Sequence, residues 1–370
     1  MNDWNEKKLG FGLMRLPRTE GEIDLEQVCP LVDAFLDRGF SYFDTAYAYP
    51  GSEEALRKAV VERYPRDRFT VATKLAIWPL GDELTPEQEF QTQLQRSGAG
   101  YFDYYLLHNF QPAHFETVER FRIWDFVREK KEQGLIRHLG FSFHRTPEVL
   151  DEILCAHPEV DFVQLQINYI DWDSPDVQSR VLYEMAHDKH GKDVVVMEPV
   201  KGGQLASLRP EHEAIFRALD PAASMASYAL RFVGSLPGVK MILSGMNSME
   251  QMRDNLGSFD PFRPLSQTER EAVEKVVEGL RAVPTVPCTA CRYCTEGCPQ
   301  KINIPEIFKA YNRVLTYGEQ PGAHEMYRRL LSEGSGAAGS CVACGQCEGA
   351  CPQQIPVIAR MAEAAGIFDK

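Results

Sequence analysis

Four residues suited to proton transfer stand at the ends of apolar runs. Asp44 ends Phe40-Ser-Tyr-Phe-Asp44 and Tyr49 follows in the next loop. Lys74 ends Phe69-Thr-Val-Ala-Thr-Lys74, and His108 ends Tyr104-Tyr-Leu-Leu-His108. Each run reads as a buried strand that opens into a loop. Parallel strands of an α/β fold deliver the residues at their C-terminal ends to one common site. An aspartate, a tyrosine, a lysine and a histidine gathered there make a proton-transfer site. Taken singly, each also has a structural reading: helix cap, packing aromatic, solvated strand end, core histidine. The combination points to chemistry.

A second set of residues suits metal ligation. Cys288, Cys291, Cys294 and Cys298, followed by Pro299, spell CxxCxxCxxxCP. Cys341, Cys344, Cys347 and Cys351, followed by Pro352, spell it again. This is the ligand run of bacterial two-cluster ferredoxins, in which three thiolates wrap one 4Fe-4S cluster and the fourth reaches the other. Cys288, Cys291, Cys294 and Cys351 are therefore expected to hold one cluster. Cys341, Cys344, Cys347 and Cys298 are expected to hold the second. Two zinc sites are the alternative, but zinc commonly uses two separated CxxC pairs, and the third cysteine and the CP ending favour iron–sulfur. The remaining cysteines, Cys29 and Cys155, stand alone.

The elements that must position these residues alternate between strand and helix. Leu9–Leu13 reads as a short strand. A helical stripe of Leu25, Val28, Val32, Phe35 and Leu36 follows, with Gly39 placed to end it. After the Lys74 strand, Thr85-Pro86-Glu87-Gln88 carries a cap, a proline at the first helical position and a capping-box partner. A helix with Val118, Phe121 and Val127 is expected to end near Gly134. Further strands are read at 136–141, 162–167, 194–197 and 240–243. Helices between them include one capped at Thr146-Pro147 and one over 177–189. About eight strand–helix units predict an α/β fold, a (β/α)8 TIM barrel, over an open doubly wound sheet. Ser266-Gln-Thr-Glu269 caps a further helix reaching about Arg281. Pro284-Thr-Val-Pro287 then breaks the pattern. The expected domains are residues 1–283, the barrel, and 284–370, a small, mainly α-helical ferredoxin-like iron–sulfur domain. Two helices are read in its long central segment, over 305–314 and 323–331.

Composition limits the partners. The 370 residues are 44% hydrophobic and 25% charged, which suits a globular protein with a substantial core. The net charge of -13 argues against nucleic acid or an anionic membrane surface. No apolar run is long enough to span a bilayer, and the start has no signal-peptide core. A cytoplasmic location, where thiols stay reduced, is expected.

The segments Phe43-Asp-Thr-Ala-Tyr-Ala-Tyr49, Ala72-Thr-Lys74 and Leu106-Leu-His108 resemble the aldo-keto reductase family. Gly140-Phe-Ser142, Gln164 and Gln251-Met-Arg-Asp-Asn255 follow in matching order. The resemblance covers roughly residues 7–260. The whole chain resembles the members fused to a C-terminal two-cluster ferredoxin-type domain. It implies reduction of a carbonyl, or the reverse alcohol oxidation, by hydride from NADP or NAD in reduced form. Tyr49 would be the general acid, and Lys74 would lower its pKa. Asp44 would hold Lys74, and His108 would orient the carbonyl oxygen. Ser142 and Gln164 would meet the nicotinamide amide, with Met14 and Arg15 near that end of the cofactor. Gln251 and Asn255 would lie near the adenine, and Gly245 would let the backbone approach a phosphate. The chain departs from many members by Phe143 after the serine and by Met197 where a tyrosine stacks on the nicotinamide. Lys201 and Arg253 are read as surface charges. Trp78 and Trp172 each follow a strand end, suited to a pocket or to the core.

Three readings compete. The leading one is a nicotinamide-dependent oxidoreductase of a small carbonyl or alcohol with two 4Fe-4S clusters and a redox partner protein. The second is an iron–sulfur electron-transfer protein whose barrel docks that partner. The third treats the clusters as structural staples. Nicotinamide moves two electrons as hydride and a cluster moves one, and no flavin signature bridges them.

Overall fold

The computed structural model describes residues 7–288, 290–351 and 353–370. Pro352, the last residue of the second cysteine run, lies outside the described residues, as do the first six. Eight parallel strands close into a barrel: β1 (Leu9–Gly12), β2 (Tyr42–Asp44), β3 (Thr70–Ala76), β4 (Phe102–His108), β5 (Ile136–Phe143), β6 (Phe162–Gln166), β7 (Asp193–Met197) and β8 (Val239–Ser244). Each strand pairs with the next in chain order, and β8 closes on β1. A two-stranded hairpin, Arg18–Thr19 with Glu22–Ile23, lies outside the barrel sheet.

Strand parity explains why the chemistry-bearing side chains face one another. Successive side chains alternate between barrel interior and helix layer. The interior is filled by Tyr42, Ala72, Tyr104, Leu106, Phe162, Val195, Met241 and Leu243. Asp44, Lys74 and His108 are each an even step from Tyr42, Ala72 and Leu106 in the same strand, so they continue these inward columns toward the barrel mouth. The opposite parity, including Phe43, Val71, Tyr105 and Leu107, packs outward in the main core. Gly140 is required inside: a Cβ there would lie 2.7 Å from the Phe162 ring. Such a buried layer is costly to disturb, with Leu106→Ala expected to destabilise by about 2–5 kcal/mol.

The helix signals at 24–39 and 85–97 act as read. Asp24 caps Leu25–Asp37 by accepting from the amides of Glu26 and Gln27, and Gly39 turns the chain at φ +76°. Thr85 and Gln88 form a capping box on Pro86–Ser97. Other elements differ from expectation. β3 runs past Lys74 to Ala76, so the lysine is inside the strand and fully buried. The helix expected through Val118 and Val127 is two helices, Phe115–Arg120 and Ile123–Glu132, parted at Arg122 with φ +47°. The helix expected from Val177 begins at Ser179. Ser174 Oγ accepts from the amides of Asp176 and Val177 and holds that stretch in a turn instead.

The chain divides into two compact units, one of residues up to Gly203 with Ala223–Arg270, the other of Gln204–Ala222 with Glu271–Lys370. The helix Gln267–Ala282 runs from the first into the second. The second unit is helical and built on a repeat, because Cys341 and Cys288 begin equivalent stretches 53 residues apart. Each stretch has a short helix, Tyr293–Glu296 or Gln346–Ala350, and then a long one, Ile304–Tyr317 or Val357–Phe368. Paired positions repeat the same left-handed backbone: Ala290 with Ala343, Arg292 with Gly345, Lys301 with Gln354. Ile302, Ile304 and Phe308 pack with their counterparts Ile355, Val357 and Met361 in one core. Among the described residues no helix is long and apolar enough to cross a membrane.

Candidate active site and cysteine cavities

Lys74 is the centre of the barrel site. Its Nζ donates to Asp44 Oδ1 at 2.6 Å and to the Thr45 carbonyl at 2.7 Å, with no solvent exposure. Burial alone would lower its pKa, but Asp44 and Tyr49 hold it above the ordinary lysine value. Lys74 is therefore a fixed cation. Nζ lies 5.0 Å from the Tyr49 ring centroid. Tyr49 is held by a tight loop in which its amide donates to the Ala46 carbonyl and its carbonyl accepts from the Ser52 amide. Burial pushes its phenol up from the ordinary value, and Lys74 pulls part of that shift back. The lysine thus acts in the expected direction but is outweighed by desolvation.

His108 meets Tyr49 edge to face at 5.7 Å between ring centroids. Burial and then the Lys74 charge push its pKa down to about 3, so it is neutral across the working range. Its Nδ1 is buried with no partner among the described residues. Trp78, half exposed, covers His108 at 5.1 Å between centroids. Trp172 packs against Tyr183 and Phe232, partly buried at the edge of the core.

Behind Lys74 lies a polar network that sequence reading missed. Gln93 Nε2 donates to the Lys74 carbonyl at 3.0 Å and to Thr73 Oγ1 at 3.1 Å, and Tyr105 donates to Gln93 Oε1 at 2.6 Å. Thr73 donates to Glu53 Oε1 at 2.9 Å, and the Ala76 amide donates to Glu89 Oε1 at 2.6 Å. Burial pushes Glu53 up to about 7 and Glu89 up to about 8. The available signal was the capping box at Thr85, which fixes the phase of the helix and puts Glu89, Phe90 and Gln93 on its buried face.

The residues assigned to the nicotinamide side form two groups. Ser142 and Gln164 are paired across β5 and β6 and both buried. Ser142 Oγ accepts from the Asn109 amide at 2.8 Å. Gln164 Nε2 touches Met197 Sδ at 3.5 Å, while its Oε1 is buried and unpartnered among the described residues. That orphaned acceptor fits a carboxamide donor. Met14 and Arg15 are exposed after β1. Gly245 is exposed, and a Cβ there would meet Arg15 Cβ and the Gly12 carbonyl at an ordinary 3.7 Å. Gln251 is tied to the Asn247 amide, and Asn255 donates to Ser244 Oγ at 2.8 Å. Lys201 is committed to buried Asp171 at 2.5 Å, so its charge is internally compensated. Asp151, Cys155 and His190 also cluster, but Asp151 Oδ1 is already shared by Lys189 and His190 at 2.6 and 2.7 Å.

The cysteines line two cavities in the second unit. One is walled by Cys288, Cys291, Cys294 and Cys351 with Ile304, Phe308 and Val357. The other is walled by Cys298, Cys341, Cys344 and Cys347 with Ile302, Val357 and Met361. Burial among apolar groups pushes Cys294 up to about 11 and raises Cys347. Such thiols need a metal's positive charge to bind as thiolates. Left-handed residues stand beside them at Ala290, Arg292, Ala343 and Gly345, a backbone conformation from which anion-binding nests are built. The donor set and its cavities fit 4Fe-4S clusters.

Comparison with known proteins agrees with this architecture. Residues 8–278 match the aldo/keto reductase family, and residues 287–355 match the 4Fe-4S dicluster domain. An aldo-keto reductase of Mycolicibacterium paratuberculosis is 27% identical over 286 residues, covering 76% of this chain and 91% of its own. A solved aldo-keto reductase of Bacillus halodurans in its holo form superposes with a TM-score of 0.56 at 23% identity, over 73% of this chain and 91% of that one. One from Klebsiella pneumoniae in complex with NADPH gives 0.57 at 21% identity, over 73% and 90%. The family match over residues 8–278 places the barrel among oxidoreductases. The chain belongs to the aldo/keto reductase family and carries a C-terminal 4Fe-4S dicluster domain.

Proposed function

We propose that the barrel reduces a small carbonyl, or oxidises the corresponding alcohol, with NADP(H) or NAD(H), and that Tyr49 is its proton donor. The observation that carries this is the buried Asp44–Lys74 pair set against Tyr49 and His108 at the barrel mouth. The bound nicotinamide would supply or accept the hydride, and the clusters would exchange single electrons. Ser142 and the unpartnered Gln164 Oε1 would hold its carboxamide, with Met197 beside them. Met14 and Arg15 would flank that end of the cofactor. Gly245, Gln251 and Asn255 would line the path toward its phosphates and adenine. Neutral His108 would donate a hydrogen bond to the carbonyl oxygen, and Tyr49 would give that oxygen its proton as charge develops. Lys74 would stabilise the resulting phenolate, held in place by Asp44.

The reductase chemistry is assigned to residues 1–283 and the two clusters to 284–370, each set holding three cysteines of one run and the fourth of the other. A redox protein would exchange electrons with the clusters. Anaerobically purified protein, screened with small aldehydes, ketones and alcohols against both nicotinamides, should show carbonyl-dependent nicotinamide oxidation. A protein that binds neither nicotinamide and turns over no carbonyl, but passes electrons between one-electron carriers, would favour the electron-transfer reading instead.

A further inference from the structure

The two cysteine cavities arise from one repeat, so a break in the repeat marks a difference in use. Gln300 on the second wall corresponds to Gln353 on the first, and Ile304 and Val357 line both. Arg292, beside Cys291, has Gly345 as its counterpart beside Cys344. Among the described residues Arg292 is the only charged residue that lines the first cavity, with its side chain largely exposed and its guanidinium turned to Glu306; no charged residue lines the second. Both residues adopt the same left-handed backbone, at φ +67° and +78°. Glycine suits that conformation better than arginine, so the arginine is tolerated against a backbone preference.

The surrounding charges leave this cation only partly compensated. Arg292 Nη2 lies 3.6 Å from Glu306 Oε1, and the other Glu306 oxygen lies 3.8 Å from Lys309. One carboxylate is therefore shared by two cations. Around the second set, Cys298 borders an open cleft whose charged residues are Lys301, Glu296 and the outer side of Arg292 itself. Glu348, beside Cys347, receives the Ile358 amide at 2.9 Å. Those charges are of both signs and off the second cavity's wall.

We propose that Arg292 makes the two clusters unequal, so that the one held by Cys288, Cys291, Cys294 and Cys351 is reduced first. The inference rests on the ligand sets proposed above. Adding one electron makes a cluster more negative by one charge, and a cation on a residue that lines its cavity favours that state over the oxidised one, even where solvent screens part of the effect. Gly345 gives the second cluster no such help. An electron given to the pair by a one-electron donor therefore resides on the Arg292 side, and the other cluster fills second.

The test is a dithionite titration of the anaerobic full-length protein, followed by electron paramagnetic resonance and by iron and sulfide analysis. The wild type should contain about eight irons and titrate in two steps. Arg292→Gln should lower the higher step by about tenfold in its reduction equilibrium, 59 mV for one electron. Arg292→Lys should keep most of the split. Gly345→Arg, placed in the same backbone conformation, should raise the lower step, and it decides the matter alone if Arg292→Gln does not load. Two intact clusters whose steps ignore both substitutions would overturn the inference. Four irons, or zinc without sulfide, would instead overturn the ligand sets beneath it.

Discussion

At the scale of the residue, Lys74 is a buried cation whose position is set on three sides: by Asp44, by the Thr45 carbonyl and by Gln93 on its own carbonyl. Tyr49 is the residue it serves in the proposed mechanism. Tyr49→Phe should lower turnover by about 10²-fold or more, with nicotinamide affinity largely kept, as steady-state rates and cofactor fluorescence titration would show. Wild-type turnover would remove Tyr49 from the role. The pH profile follows from the shifts. His108, pushed down to about 3, is already neutral at pH 5, so it gives no acid limb to kcat/KM for reduction between pH 5 and 8. Tyr49 must be protonated to donate, and burial raises its pKa, so reduction should fall only in alkaline solution, above the ordinary phenol value of about 10. A pH–rate series showing a limb near 6.5 would contradict the buried, neutral histidine. Asp44 and His108 were legible in sequence because each closes an apolar run, whereas Lys74 stood out as a charge within one that continues to Ala76. Glu53 and Glu89 were not, because carboxylates are ordinarily exposed and nothing local announces the barrel that buries them.

At the scale of the element, those two glutamates attach the helices at 52–56 and 86–97 to β3. Each has a folded-state pKa above its unfolded value. The folded chain therefore binds more protons than the unfolded one from about pH 4.5 up to the values of about 7 and 8. Stability should fall as pH rises across that window, by on the order of a few kcal/mol in total. Glu89→Gln keeps the acceptor for the Ala76 amide and removes the titration. Urea midpoints at pH 5 and pH 8 should therefore lie closer together in this variant than in the wild type, and an unchanged gap would exclude Glu89 as the cause. Caps and apolar runs carried most of the element reading, as Thr85 with Gln88 and the run that ends at His108 show. The misses have local causes. Arg122 takes a left-handed conformation mid-pattern, and Ser174 competes for the amides that would have begun a helix at 177. Hydrophobic periodicity reports neither.

At the scale of the whole molecule, an oxidoreductase barrel and a domain built to hold iron–sulfur clusters share one chain. The cysteine spacing made the second legible, since the crossed sets expected from the motif are the sets that line the two cavities. The charge difference at Arg292 was not legible, because it has meaning only when the two walls are laid over each other. In the proposed mechanism the barrel moves hydride directly and the clusters stand outside the chemical step. A cluster delivers one electron at a time, so reduction through it would take the new carbon-bound hydrogen from solvent or a side chain. Hydride transfer takes that hydrogen from the nicotinamide, with the two carbons held roughly 3–3.5 Å apart. The most direct measurement uses cluster-loaded protein, a carbonyl found by screening, and stereospecifically deuterated NADPH or NADH in ordinary water. Mass spectrometry and proton resonance of the alcohol should find one deuterium on the former carbonyl carbon. Alcohol with no deuterium there, but with a solvent-derived hydrogen when the reaction is run in heavy water, would contradict direct hydride transfer.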